Sequence, residues 1–303
     1  MEFRHLRYFL AVADALHFTK AAEGLAVSQP ALSAQIKQLE QEVGVPLFDR
    51  VGRSVQLTRA GAIFRDHARR ALREMELAQV AIVEEEGLQR GTLTIGVVQT
   101  VNAYLIPEIV GRFSTLHPQV TLKLDELCGP DIEQGVRSGI LDLGIGFVPA
   151  GSDQIEAQPL FEEDFVLVAS RRHRFAARRH VPLASLADEP LVLLPAIFCT
   201  RRLLNASFEQ AGIVPKVAVE MNSIEGILAT VKTSKLATVL PRLSLGLEGG
   251  GGLRGIPLRQ PTPRRGLGLL WKKRGHRSGA ARALADQVRL VIKKRWRKKS
   301  GFL

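Results

Sequence analysis

A chain of 303 residues, 46% of them hydrophobic, has material for two domains with sizeable cores, and its two cysteines are too few for a disulfide framework. No apolar run approaches the roughly 18 residues of a membrane span, and the start Met1-Glu-Phe-Arg-His lacks the basic-then-apolar order of an export signal, so a cytoplasmic setting with reduced thiols is expected. The net charge of +12 invites a nucleic-acid reading, but residues 1–90 hold 12 basic and 12 acidic side chains, whereas 264–303 hold 14 basic residues against Asp286 alone. Bulk charge therefore does not argue for DNA. A local pattern has to.

Phe3, Leu6, Phe9, Leu10 and Ala13 recur at steps of three and four, which predicts an amphipathic first helix. Thr19 reads as the N-cap of a short second helix ending near Leu25, where Ala21 and Ala22 let another helix approach closely. Ser28 reads as the N-cap of a third helix with Pro30 in its first turn, where a missing N–H costs nothing. Leu32, Ile36 and Leu39 form its buried stripe, and Gln29, Ser33, Gln35, Lys37 and Gln38 its polar front. Two short helices about a tight turn, the second apolar behind and polar in front, describe a helix-turn-helix. Its Gln and Ser side chains suit base edges and phosphates. A wing follows over 44–58, with Gly52 as its turn and Arg50 and Arg53 near the tip. The expected DNA contacts are Thr19, Ser28, Gln29, Pro30, Ser33, Gln35, Lys37, Gln38, Arg50 and Arg53. Pattern alone leaves open an ordinary small helical domain, which shows the same stripes and caps.

From Thr58, a capping residue, to Gly87, a stop, nothing breaks a long helix except Gly61 near its start. It would span about 43 Å at 1.5 Å per residue. Its apolar side, Ile63, Ala68, Leu72, Met75, Val80 and Val83, needs a partner, either a second copy or the chain's own C-terminal domain.

Beyond Gly91 the texture becomes that of parallel α/β structure. Strands are predicted at 92–98, 120–124, 141–147, 165–169, 191–194, 217–219 and 236–240, with helices between them, in two lobes. Small ligands in such folds bind where strand C-termini meet helix N-termini. That rule selects Gln99, Thr100, Cys128 and Phe147 in one lobe, and Phe198, Thr200, Arg201, Asn222 and Ser223 in the other. Thr200 and Ser223 look like N-caps. They either satisfy helix amides alone or converge with other caps on an anion site. Arg201 either adds charge there or is solvated.

The run RYFLAVADALHFTKAAEGLAVSQPALSAQIKQLEQEVGVPLFDRVGRSVQLTRAG resembles the N-terminal signature of LysR-type transcriptional regulators. The matching features are Phe18-Thr19 with Ala21-Ala22, the segment Ser28 to Ser33, Gln38-Leu39-Glu40, Leu47 to Arg50, and Leu57 to Gly61. The resemblance covers essentially the whole chain and weakens after about residue 245. It implies an α/β protein with an N-terminal all-α winged helix-turn-helix over 1–58, a linker and dimerisation helix over 59–90, and an effector domain of periplasmic-binding-protein type over 91–303. Lobe I of that domain is expected at 91–162 and 267–303, and lobe II at 163–266. The implied partners are double-stranded promoter DNA with an interrupted dyad, a small-molecule effector, further copies in a dimer or tetramer with linker helices antiparallel, and RNA polymerase, which an activator engages. Within the family, LVLLPAIFCTRR, VEMNSIEGIL and KTSKLATVLP resemble regulators of cyanate-utilisation operons, through Phe198, Thr200, Arg201, Asn222, Ser223, Thr233-Ser234 and Leu240-Pro241. That likeness implies a small anionic effector.

No HExxH, GxSxG, P-loop or Cys/His ligand spacing occurs, so neither catalysis, metal nor cofactor is expected, and the cysteines read as small apolar residues. An enzyme and a non-regulatory binding protein of periplasmic type are the rival classes. The run Lys293 to Lys299 reads as a solvated tail or as an auxiliary phosphate contact with Trp296, and Arg171, Arg172, Arg174, Arg178 and Arg179 as a basic surface loop.

Overall fold

The structure, a computed structural model, describes residues 1–51, 54–85, 91–247 and 251–299. The chain divides into two units, one of Met1–Leu88 with Ser138–Ile140 and a second of Gln89–Arg137 with Leu141–Leu303. Gly52 and Arg53 of the wing tip, and Gly87, lie outside the described residues.

In the first unit, α1 (Phe3–Ala15), α2 (Phe18–Gly24) and α3 (Gln29–Val43) are followed by a hairpin of β1 (Phe48–Val51) and β2 (Ser54–Leu57), then α4 (Arg59–Glu85). Phe9 is the centre of the core, with its ring 5.2 Å from that of Phe48 and 4.9 Å from that of Phe64. Leu32, Ile36 and Leu39 of α3 are buried against it, as their spacing predicts. Ser28 caps α3 by accepting the Ala31 N–H at 3.3 Å, and Thr58 caps α4 by accepting the Gly61 N–H at 2.9 Å. Thr19 does not cap α2. Buried Phe18 is already helical and the His17 ring nitrogen accepts the Lys20 N–H at 3.4 Å, so Thr19 sits exposed within the first turn. Glu40 Oε1 accepts the Leu47 and Phe48 N–H groups at 2.8 and 3.1 Å, tying the start of the wing to α3.

The apolar residues of α4 do not share one fate. Ala68 is buried in the winged-helix core, and Phe64 and Leu72 pack against it, while Ile63 and Met75 remain 58% and 44% exposed. The side chains of Val80 and Val83 lie outside the described residues. Part of the stripe is thus consumed within the unit, because the first turns of α4 cross α1.

The second unit begins with β3 (Gly91–Val97), α5 (Gln99–Tyr104), α6 (Ile106–Leu116), β4 (Val120–Glu126), α7 (Gly129–Ser138) and β5 (Leu143–Val148). Next come the long β6 (Ile155–Ser170), β7 (Val181–Pro182), β8 (Leu191–Leu193), α8 (Cys199–Gln210), β9 (Val217–Glu220), α9 (Ile224–Thr233) and β10 (Thr238–Pro241). The chain ends with β11 (Leu253–Arg259), β12 (Arg264–Lys272) and α10 (Gly279–Lys299). Strands β4, β3 and β5 are parallel, as alternation with helices predicts, but β12 joins β5 and the first half of β6 antiparallel. The second half of β6 pairs antiparallel with β10 and β11, so the architecture is mixed rather than purely parallel.

The 16 residues of β6 belong to both lobes, and β12 begins where the chain returns to the first. Sequence patterning passed over β11 and β12 because glycine and proline dilute their apolar alternation. Gly268 is required by close approach: a Cβ there would lie 2.6 Å from a Val148 methyl and 2.7 Å from the Gln158 carbonyl oxygen. In α10, Leu284, Val288 and Val291 seal the first lobe's core, and the helix backbone continues through the basic run to Lys299. No helix among the described residues is long and apolar enough to cross a membrane.

Candidate functional site

Two surfaces follow from this architecture, one in each unit. On α3, Gln29, Pro30, Lys37 and Gln38 are exposed, while Ser33 and Gln35 are half-buried. Gln35 does not stand free, because its Oε1 lies 3.1 Å from Nε2 of buried His5 on α1. It braces two helices of the domain. Thr19, Lys20 and Ser28 are exposed beside the α3 N-terminus. Arg50 is the third residue of β1, but its side chain lies outside the described residues, as does all of Arg53.

In the second unit the seam between lobes is organised by an arginine that sequence patterning did not single out. Arg265, near the start of β12, is in register with Glu163 of β6, and the two side chains are only 1% and 3% exposed. Arg265 donates to Glu163 Oε1 from Nε at 2.9 Å and from a terminal nitrogen at 2.6 Å. Its other terminal nitrogen donates to Thr100 Oγ1 at 2.7 Å, on lobe I, and to Thr200 Oγ1 at 3.2 Å, on lobe II. The Tyr104 hydroxyl donates to Glu163 at 2.6 Å. Burial above all, with the neighbouring Glu163 carboxylate, holds that phenol well above its ordinary pKa, so it stays a neutral donor. Phe147 and Phe165 flank the guanidinium at 5.4 and 5.5 Å.

Thr100 and Thr200 are thus brought together by one shared donor. Thr200 is not the cap of α8, since Phe198 holds that position and Thr200 is turned inward, 5% exposed. Gln99 donates across the seam to the Asn222 carbonyl oxygen, which places Asn222 at the cleft through its backbone. Ser223 caps α9, accepting the Gly226 N–H at 3.1 Å. Arg201 points away from the cleft: it holds the Leu194 carbonyl at 2.7 Å and Asn205 at 2.7 Å, inside lobe II. Half-buried Phe198 packs against the lobe II core.

Beside this network a cavity of about 540 Å³ opens between the first turns of α7 and α8, lined by Gly129, Pro130, Arg137, Phe147, Cys199 and Arg202 among others. The Gly129 N–H donates to Cys199 Sγ at 2.9 Å, and an Arg202 guanidinium nitrogen lies 3.4 Å from the same sulfur. Cys128 donates to the Ile197 carbonyl oxygen at 3.1 Å. The Cys199 sulfur is half-exposed at a helix start and accepts from two N–H donors, so it is not packed as a purely apolar side chain. Cys199 therefore departs from the apolar role that cysteine usage predicts. Sequence separation hid these groups: Glu163 and Arg265 are 102 residues apart, and Gly129 and Cys199 are 70 apart. The one available signal was the pairing of Glu162-Glu163 with Arg264-Arg265 at the two lobe crossings.

Comparison with known proteins agrees with this two-part arrangement. Residues 3–62 match the family described as bacterial regulatory helix-turn-helix protein, lysR family, and residues 86–292 match the LysR substrate binding domain. The DNA-binding transcriptional dual regulator OxyR of Escherichia coli is 32% identical over 290 residues, 95% of each chain. Full-length OxyR C199D from Pseudomonas aeruginosa superposes with a TM-score of 0.73 at 28% identity, covering 96% of this chain and 95% of that one. CbnR complexed with its target DNA gives 0.69 at 25% identity, covering 96% and 100%.

These relatives are not cyanate-operon regulators, and the subgroup expectation gives way to full-length likeness. The short motifs behind it serve the fold generally, since Arg201 pins a carbonyl, Ser223 caps a helix, and Leu240-Pro241 lie within β10. With both domain families matched in order along one chain, this protein belongs to the LysR family of DNA-binding transcriptional regulators, a winged helix-turn-helix followed by an effector-binding domain, and is not an enzyme.

Proposed function

We propose that this regulator responds to a hydroperoxide at Cys199, in the cleft between the lobes of its effector domain, and alters its promoter binding accordingly. The observation that carries the reading is the Cys199 sulfur at the mouth of a cavity, accepting the Gly129 N–H at 2.9 Å with Arg202 at 3.4 Å. Relatives named as hydrogen peroxide-inducible genes activators, 32% identical over 95% of the chain, support the same chemistry. The expected result is that hydroperoxide shifts the wild-type promoter footprint, whereas Cys199→Ser binds the promoter equally well with an unchanging footprint. A Cys199→Ser protein that still responds like wild type would sink the proposal.

The second reading is a small anion, the effector class implied by the cyanate-regulator resemblance. Arg137 and Arg202 on the cavity wall favour it, together with the first turns of two helices. Calorimetric titration of reduced protein with cyanate, nitrate and bicarbonate discriminates, because saturable heat lost in Arg202→Ala would support the anion.

On the DNA side, α3 is assigned to the major groove through Gln29, Ser33, Lys37 and Gln38, with Thr19, Ser28 and Pro30 beside the phosphates and Arg50 and Arg53 on the wing. Self-association is assigned to α4, where Ile63 and Met75 are exposed. Met75→Asp is expected to shift full-length protein toward monomer in sedimentation while circular dichroism shows an unchanged helix content. Leu72 would be a poor probe, because it also packs on the winged-helix core.

A further inference from the structure

The chain has two cysteines, and they come from opposite lobes to the same point. Cys128 immediately precedes α7 in lobe I, and Cys199 is the first residue of α8 in lobe II. Each sulfur bonds the other's segment: Gly129 N–H donates to Cys199 Sγ at 2.9 Å, and Cys128 donates to the Ile197 carbonyl at 3.1 Å. A Cβ built on Gly129 would still stand 3.7 Å from Cys199 Sγ, so the backbone beside Cys128 meets the sulfur without a screen. One peptide bond separates that Gly129 nitrogen from the Cys128 carbonyl carbon, and disulfides join Cα atoms about 4.4–6.8 Å apart.

We propose that Cys128 and Cys199 form a disulfide across the cleft when a hydroperoxide oxidises Cys199, covalently tying lobe I to lobe II. The inference rests on the hydroperoxide reading above and adds to it the second thiol and the structural consequence. The two cysteines have different parts. Cys199 lines the cavity and accepts two N–H donors, which suits attack. Burial first, then the adjoining Cys199, holds the Cys128 thiol above its ordinary pKa, so it stays protonated until needed.

The chemistry balances in two steps. The Cys199 thiolate attacks the terminal peroxide oxygen, an S–O bond forms as the O–O bond breaks, and the departing alkoxide takes a proton to leave as alcohol (water, when the oxidant is hydrogen peroxide). Cys128 sulfur then attacks Cys199 sulfur, an S–S bond forms as the S–O bond breaks, and the hydroxide leaves with the Cys128 proton as water. Two thiols are oxidised by two electrons in all, and one peroxide is reduced. The bridge fixes the first turn of α7 against the first turn of α8. Lobe movement about the β6 and β12 crossings is thereby restricted to arrangements that keep these turns in contact.

The test uses the full-length reduced chain and hydrogen peroxide, with an organic hydroperoxide as a second oxidant. Free thiols are titrated, and a peptide map is run without reduction. In wild type both thiols should be lost together, with a 128–199 cross-linked peptide within one chain, restored by dithiothreitol. Cys128→Ser should stop at a sulfenic acid on Cys199 that dimedone traps, and Cys199→Ser should leave Cys128 titrating as a free thiol. Cys128→Ala repeats the first variant without a hydroxyl, and circular dichroism of each variant verifies folding. Oxidation of Cys199 with Cys128 still free, or a bridge found only between chains, overturns this inference while the hydroperoxide reading stands. Absence of any oxidation at Cys199 removes both.

Discussion

Replacing Glu163 by alanine is expected to destabilise the effector domain by about 3–5 kcal/mol, because it strands the Arg265 guanidinium in a site closed to water. Arg265 is 1% exposed at its side chain, and among the described residues the carboxylate paired with it is that of Glu163, at 2.6 Å. Thr100, Thr200 and Tyr104 contribute hydroxyls only, which cannot offset a full charge. Urea unfolding of the full chain, followed through its effector-domain transition, measures the loss. A fall below about 1 kcal/mol, the scale of a solvated pair, would mean that water reaches the guanidinium. The double variant Glu163→Leu with Arg265→Met should recover most of the stability, since apolar side chains of similar size can replace a buried pair. It should nevertheless respond poorly to effector, because Thr100 and Thr200 lose the donor they share across the lobes. Recovered stability with a normal response would confine Arg265 to a structural role.

Gly61→Ala is expected to cost the winged helix an amount at or above the upper end of about 1–3 kcal/mol, the usual range for overpacking. Promoter affinity should fall with it. A Cβ at this position would lie 2.0 Å from the Leu47 carbonyl oxygen, which is backbone and cannot rotate aside. That oxygen accepts the Thr58 N–H at 3.0 Å, and Leu47 is itself held by Glu40 of α3 at 2.8 Å. Moving it loosens the α4 cap and the wing's attachment to α3 in one step. Thermal unfolding of the full chain together with a promoter gel shift checks both parts. A variant with wild-type melting and affinity would show that α4 can slide away from the wing without cost.

The sequence by itself determined the elements whose evidence is local. Leu32, Ile36 and Leu39 announce α3 because a helix brings residues three and four apart onto one face, and Ser28 and Thr58 cap because a hydroxyl reaches an amide three residues on. The order of motifs from Phe18 to Gly61, all near neighbours in the chain, carried the family. The cleft was half legible: strand ends and helix starts picked out Gln99, Thr100, Cys128, Phe147, Thr200 and Asn222, but local rules also drew in Arg201, whose side chain folds back onto its own lobe.

Only the tertiary structure decided what those residues do. The register of β12 on β6 sets Arg265 opposite Glu163, and the closing of two lobes sets Gly129 against Cys199. Neither pairing leaves a periodic trace, because sheet register and lobe contact join segments separated by 102 and 70 residues, and side-chain chemistry at such range is fixed by packing rather than by spacing.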